Sequence, residues 1–435
     1  MPKIIDLKIE KMNLGGQGIG YLDGKVCFVD FVIPGEEIKA AMITEKKDYN
    51  VVKVIEVIRA SPARIAPRCS VFKICGGCQL QHIDYPMQIE LKKAMLIDTM
   101  RHIGRIQIDG LEVFCHEPWY YRNRTQLPVQ KNGGFKMGYF KKGTHQVINH
   151  DFCYINQIEI NRLVEILKTR IKDSKIEIYN EAEHRGNLRH VIIRRGTKTG
   201  EMLVTFVTKE RNLPAKIYKG LTAEVKEIVG ITQNINAKKT NRILGDEDIT
   251  LVGRNFYTEH LSDKIFNIGP KSFFQINIPV FEMIIEKMKE EITGGTVLEL
   301  YAGVGAIGIS LAHLCNQVIA IEENPAAVSD GIKNAVLNNV TNINFIQGRA
   351  EDRINKVKDC DIIIMDPPRK GVDSRIINYF AKVKLRKIIY LSCHPATLAR
   401  DVQLLLNQGF SIKKVYLFDM FPQTYHIETL VVLHR

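Results

Sequence analysis

The sequence has no apolar run approaching the ~20 residues that a membrane-spanning helix needs. Its first residues, Met1-Pro2-Lys3-Ile4-Ile5-Asp6, hold none of the apolar core of a secretory signal. These two absences predict a cytoplasmic protein without membrane contact. No internal repeat or low-complexity tract appears, which leaves ordinary globular domains. Acids are missing from two stretches. Residues 118–150 hold six Lys or Arg and no Asp or Glu, with Trp119, Tyr120, Tyr121, Phe135, Tyr139 and Phe140 interleaved. Residues 184–200 hold five Lys or Arg, again without an acid. Such stretches suit phosphate contact and base stacking, although a solvated strand face carries similar residues. The net charge of +13 points the same way, toward a polyanionic partner such as nucleic acid.

At 435 residues the chain has room for about three domains. Residues 1–59 read as short strands over 4–8, 18–21, 25–29, 37–42 and 51–58, separated by turn signals at Gly15-Gly16, Asp23-Gly24 and Pro34-Gly35. That spacing predicts a small closed β-barrel. Residues 60–265 read as a mixed α+β unit, with helices near 86–102 and 161–171 and strands at 147–148, 175–179, 191–195 and 202–207. Residues 266–435 alternate apolar strands with amphipathic helices. The strands fall at 296–300, 317–321, 343–346, 361–365, 387–391 and 410–418, and 429–433 closes a C-terminal hairpin. Such alternation predicts a doubly wound, mainly parallel α/β sheet.

Nine cysteines in a chain without an export signal argue for metal or catalytic use over a disulfide framework. Cys27, Cys115, Cys315 and Cys360 stand singly among apolar neighbours and read as core filler. Cys69, Cys75 and Cys78, with Cys153 far downstream, form a set that suits either tetrahedral zinc or an iron–sulfur cluster. Cys393 is different. It closes the apolar run Lys387-Ile388-Ile389-Tyr390-Leu391-Ser392 and precedes a helix start at Pro395. A thiol at a strand terminus, near helix N-terminal amides that favour its anionic form, reads as a nucleophile rather than a packing cysteine.

Upstream, Val297-Leu298-Glu299-Leu300-Tyr301-Ala302-Gly303-Val304-Gly305 is a strand running into a glycine turn, which lets a ligand approach the backbone closely. A dinucleotide fingerprint would look similar. Glu322 ends the next strand, where an acid grips ribose hydroxyls. Asp366 ends a later strand as a second acid at the sheet rim. This second acid suits S-adenosyl-L-methionine, whose amino and sulfonium groups are cationic, better than a pyrophosphate.

With these residues in place, the chain resembles the RNA uracil-5-methyltransferases. The matching motifs are Ser272-Phe273-Phe274-Gln275-Ile276-Asn277, the Tyr301–Gly305 loop, Asp366-Pro367-Pro368-Arg369-Lys370-Gly371, Ser392-Cys393 through Arg400-Asp401, and the run from Phe421 through His426 to Glu428-Thr429. Gly16-Gln17-Gly18, Phe28-Val29 and Pro34-Gly35-Glu36 resemble a TRAM domain, a small RNA-binding barrel. Two positions depart from the family's usual pattern: His394 stands where Asn often follows the cysteine, and Ala306 where several members carry Asn.

The resemblance implies a TRAM-like barrel at 1–59, a central iron–sulfur and RNA-binding domain at 60–265, and a Rossmann-like methyltransferase domain at 266–435. It implies Cys393 as nucleophile and Glu428 as general base, with Gln275, Tyr301, Glu322 and Asp366 contacting S-adenosyl-L-methionine. Cys69, Cys75, Cys78 and Cys153 become ligands of a structural 4Fe-4S cluster. Arg369 becomes a phosphate or base contact, or a structural arginine. The expected substrate is RNA methylated at uracil C5, with 23S ribosomal RNA first and the T-loop of transfer RNA second, and the expected protein is a monomer.

Two rivals stay in view. A cytosine-5 methyltransferase would want a cysteine in the loop that here reads Asp366-Pro367-Pro368-Arg369. A non-enzymatic iron–sulfur RNA-binding protein would have no need of Cys393 and Glu428.

Overall fold

The computed structural model describes residues 2–131, 133–149 and 151–435. Its C-terminal part is built on an eight-stranded sheet. The strand order is Ile343–Gln347, Gln317–Glu322, Thr296–Leu300, Ile362–Met365, Lys387–Ser392, Glu428–His434, Ser411–Phe418 and Leu111–Phe114. The first five are mutually parallel. Glu428–His434 is inserted antiparallel between Lys387–Ser392 and Ser411–Phe418. The central strands are buried along almost their whole length. Parallel strands covered on both faces must be apolar throughout, which is why they stand out as unbroken runs. The edge strand Leu111–Phe114 comes from far upstream and pairs parallel to Ser411–Phe418.

The helices begin where side-chain caps allow. Asp84 accepts from the Met87 amide ahead of Tyr85–His102, with Pro86 in the first turn. Asn324 caps Pro325–Leu337, and His394 caps Pro395–Leu406, each with a proline in the first turn. Such caps satisfy amides that have no partner within the helix. Tyr85–His102 packs through Leu91, Met95, Leu96 and Met100 into the core beneath the parallel sheet.

Residues 4–59 form a six-stranded sheet whose order begins with Ile4–Lys8 and ends with Lys11–Met12. Only two residues separate these edge strands in the chain, so the first and last strands of the sheet lie near each other. A seven-stranded sheet runs from Val147–Asn149 through Lys136–Phe140, Arg124–Gln130, Leu188–Arg195, Met202–Thr208 and Ile228–Ile235 to Glu247–Gly253. Its core packs the apolar face of helix Ile158–Ser174.

Two expectations fail. Residues 175–179 do not form a strand. Lys175 is left-handed at the helix C-terminus (φ 55°), and only isolated bridges at Ile178 and Asn180 follow. Cys115 is exposed rather than core, because it leaves the end of an edge strand. Among the described residues, no helix is long and apolar enough to cross a membrane.

Candidate active site

The residues singled out in the C-terminal half gather on one rim. Tyr301, Asp366 and Cys393 each follow the carboxyl end of a strand, and Glu322 ends one. The sheet order reverses between Thr296–Leu300 and Ile362–Met365, the place where open α/β sheets bind ligands.

The glycine turn is held from below. Glu322 accepts from the Gly303 amide at 2.8 Å and from the Asn324 amide at 2.7 Å. Tyr301 is left-handed (φ 62°), as is Gly305 (φ 73°). A Cβ at Gly305 would lie 2.6 Å from the Phe345 ring, so both backbone shape and space demand glycine there. Glu299, buried in the preceding strand, accepts from the Gly308 amide at 3.0 Å. Burial, reinforced by Asp366 and Glu322, pushes its carboxyl up to about 8. Sequence reasoning gave Glu299 no role, although an acid inside Val297-Leu298-Glu299-Leu300 was the available signal.

Gln275 enters from the segment before helix Ile278–Lys289 and donates to Asp366 at 3.3 Å. Burial raises Asp366 from an ordinary 3.8 to about 7. Glu428 is fully buried, and burial together with Asp366 holds its carboxyl well above the usual range. Its Oε1 has no hydrogen-bond partner among the described residues. The antiparallel register pairs Thr429 with Ser392, so one step further sets Glu428 beside Cys393.

Cys393 is half-buried. Burial, then Glu428 and Asp366, push its thiol up to about 11, while a hydrogen bond and the charge of Arg369 pull it down. Arg369 is thus a cation beside the thiol that favours its anionic form. Arg369 also approaches the His426 ring at 3.2 Å. Burial, with Arg369 next, pushes His426 down to about 4, so the imidazole is neutral.

Cys393, His394, Arg369 and His426 line a cavity of about 290 Å³. Its far wall is Leu14-Gly15, from the N-terminal sheet. That turn is stiff: Asn13 Oδ1 accepts from the Gly15 and Gln17 amides at 2.9 and 3.0 Å. Gly16 (φ 74°) lies so close to Tyr425 that a Cβ would be 3.0 Å away. Nothing in the local sequence signals this wall, because it exists only once the N-terminal sheet has docked.

Cys69, Cys75, Cys78 and Cys153 line a second cavity, of about 120 Å³. Gln81 accepts from the Cys69 amide at 3.1 Å, and the Gly77 amide donates to Cys75 Sγ at 3.4 Å. Burial raises the Cys78 and Cys153 thiols, and neighbouring cysteines of the set add to it. Among the described residues no three His, Cys, Asp or Glu side chains are placed to hold a metal ion. The thiols surround a hollow rather than meet at a point.

A parallel sheet with a reversed C-terminal strand, a glycine turn and acids along its carboxyl rim defines a Rossmann-like methyltransferase. The family model described as tRNA (Uracil-5-)-methyltransferase matches residues 84–435, and the chain belongs to that family. It is 36% identical to an uncharacterized RNA methyltransferase of Clostridium acetobutylicum, over 100% of this chain and 99% of that one. A similar relative from Halalkalibacterium halodurans is 36% identical, over 99% and 96% of the two chains. Among solved structures, the Pyrococcus abyssi tRNA (uracil-54, C5)-methyltransferase in complex with S-adenosyl-L-homocysteine is 30% identical. It covers 99% of this chain and 100% of its own, with a TM-score of 0.81. The chain is thus an RNA methyltransferase of the uracil-5 family.

Proposed function

We propose that the protein methylates uracil C5 in RNA through a covalent bond from Cys393 to uracil C6, with S-adenosyl-L-methionine as donor. The observation that carries this reading is that Cys393 and Glu428 lie one step beyond the paired Ser392 and Thr429, with Cys393 and Arg369 lining one cavity.

Uracil C5 is too weak a nucleophile to be methylated directly. The Cys393 thiolate, favoured by Arg369, forms a bond to C6 and moves the C5=C6 electron pair into an enolate, making C5 nucleophilic. When bound, S-adenosyl-L-methionine supplies the methyl group that C5 takes. Glu428 then removes the C5 proton, the C5=C6 bond re-forms, and the C6–S bond breaks to return the thiolate. For that step Glu428 must be ionised. Burial and the neighbouring Asp366 hold the proton on Glu428, so a cationic ligand against Asp366 offsets that charge and favours ionisation of Glu428. The rim fits such a ligand: Glu322 and Asp366 are two acids beside a glycine turn, and Gln275 and Tyr301 complete the residues assigned to it.

Replacing Glu428 with Gln should leave an RNA–protein adduct that survives denaturing electrophoresis. Clean turnover by that variant would remove Glu428 as the base.

The four thiols fit a 4Fe-4S cluster better than a single zinc ion. Ligands of zinc converge to Zn–S distances of ~2.3 Å, whereas these cysteines ring a cavity. We assign the cluster a structural role with Cys69, Cys75, Cys78 and Cys153 as ligands, and no step above uses it. Protein purified without oxygen should carry about four irons per chain.

For the substrate, the TRAM-like N-terminal sheet and the four cysteines favour 23S ribosomal RNA. A second reading, the T-loop uridine of transfer RNA, is supported by the likeness to the Pyrococcus abyssi enzyme. Mapping 5-methyluridine in both RNAs of a deletion strain separates them. The protein is read as a cytoplasmic monomer.

A further inference from the structure

The strand that begins at Glu428 is reached through a segment gripped at four successive carbonyls by four different parts of the chain. Asn277 Nδ2 donates to the Met420 carbonyl at 3.3 Å. Lys92 Nζ donates to that of Phe421 at 3.1 Å. Tyr121 Oη donates to that of Pro422 at 3.0 Å. The amides of Gln79 and Leu80, just after Cys78, both donate to that of Gln423 at 3.0 Å. Backbone carbonyls in a loop normally turn to water, and four in a row held by protein donors mark a segment whose path is fixed.

Gln423 is the tightest point. It is left-handed (φ 68°), which is unfavourable for a residue with a Cβ, and almost fully buried. It joins Gln88 in a two-way pair. Gln88 Nε2 donates to Gln423 Oε1 at 3.1 Å, and the Gln423 backbone amide donates to Gln88 Oε1 at 3.2 Å. Gln88 Nε2 also reaches the carbonyls of Leu80 and Ile83, so one side-chain amide ties helix Tyr85–His102, the cysteine loop and this turn together. A backbone conformation that costs energy persists only where surrounding contacts over-determine it, and such places gather near functional groups. Glu428 itself has an oxygen with no partner among the described residues, so its aim depends on the backbone that delivers it.

We propose that Gln88 and Gln423 are positioning residues for Glu428: their mutual hydrogen bonds hold the left-handed turn that delivers the carboxylate to the nucleophile. The inference rests on the covalent mechanism above. It places the consequence of disturbing this turn at one chemical step, release of the adduct, and leaves attack by Cys393 intact. The alternative is that the strand ladder alone positions Glu428.

The test compares Gln423→Ala, Gln88→Ala and Glu428→Gln in the full-length protein, with labelled S-adenosyl-L-methionine and RNA. Turnover by the first two should fall on the order of 10²-fold, the scale expected when a reacting group is misplaced by about 1 Å. A methylated RNA–protein adduct should accumulate in both, while S-adenosylhomocysteine affinity stays unchanged as a check on folding. Gln423→Asn, which accepts the left-handed backbone but whose side chain is too short to accept from Gln88 Nε2, should behave like Gln423→Ala. The proposal is overturned if the Gln variants turn over normally, or if they lose activity without adduct while Glu428→Gln traps it. Should Glu428→Gln itself trap nothing, the covalent reading fails and this inference falls with it.

Discussion

Two thiol environments share this chain, and the proposed function gives them opposite uses. Cys393 stands alone at a strand end, open to a cavity of about 290 Å³ and hydrogen-bonded by a guanidinium. The other four cysteines line a smaller hollow together with Arg122, where backbone amides and Gln81 also approach them. On the proposed reading, a lone thiol at an opening beside a cation serves as nucleophile, and thiols grouped around a hollow serve as ligands. Burial raises the thiol pKa in both places, so burial does not distinguish them. The neighbours do.

The sharpest break of that contrast is Cys393→Ala. Methyl transfer should fall by on the order of 10⁴-fold or more, as for other covalent nucleophiles. S-adenosylhomocysteine binding and iron content should be untouched. Residual transfer near the wild-type rate would sink the covalent proposal.

Next in size is Arg369→Gln. Arg369 lowers the Cys393 thiol pKa, and Glu428 and Asp366 raise it. Removing the guanidinium therefore lifts the thiol above about 11. At any fixed pH below that value the thiolate fraction drops, about tenfold for each pH unit by which the thiol rises. The rate should fall by roughly 10- to 10³-fold near neutral pH, and its rising limb should move to higher pH, since a nearby charge moves a pKa by ~1–3. If Arg369 only holds phosphate, KM rises instead and the pH profile stays where it was.

Much of this was legible in the chain before folding. The strands read at 296–300 and 387–391 announced themselves because burial on both faces leaves no room for polar alternation, and 317–321 followed from the same rhythm. Their carboxyl ends, with that of 362–365, then placed Tyr301, Glu322, Asp366 and Cys393 on one rim. Other parts were written in tertiary contacts alone. Leu111–Phe114 is four residues long and pairs with Ser411–Phe418, near the opposite end of the chain, so no local pattern assigns it to that sheet. The Leu14-Gly15 wall depends on the docking of one sheet against Tyr425. The role of Arg369 at Cys393 was ambiguous in sequence, because an arginine in a loop serves phosphate, base or structure equally well. Residues 175–179 misled because Ile176 and Ile178 alternate like a strand while Lys175 is already committed to a left-handed helix end.

The smallest expected effect sharpens the contrast from the other side. Cys153→Ser removes one thiol from the four-cysteine set, and Cys153 is anchored through its amide to Asn161 at 2.9 Å, away from the cavity that Cys393 lines. Iron should be lost and the melting temperature should drop by several degrees, since a group bound only by the folded chain stabilises it, with the logarithm of its affinity. Alkylation of Cys393 should proceed at its usual rate, because Arg369 and the strand end that present it are not tied to this hollow. The link that does exist runs through the Gln79 and Leu80 amides to Gln423, toward Glu428. Any loss of turnover in Cys153→Ser should therefore appear as slowed release of RNA from the adduct, not as slowed attack. A Cys393 that became unreactive along with iron loss would mean the two thiol environments are one cooperative site, and the contrast drawn between them would be wrong.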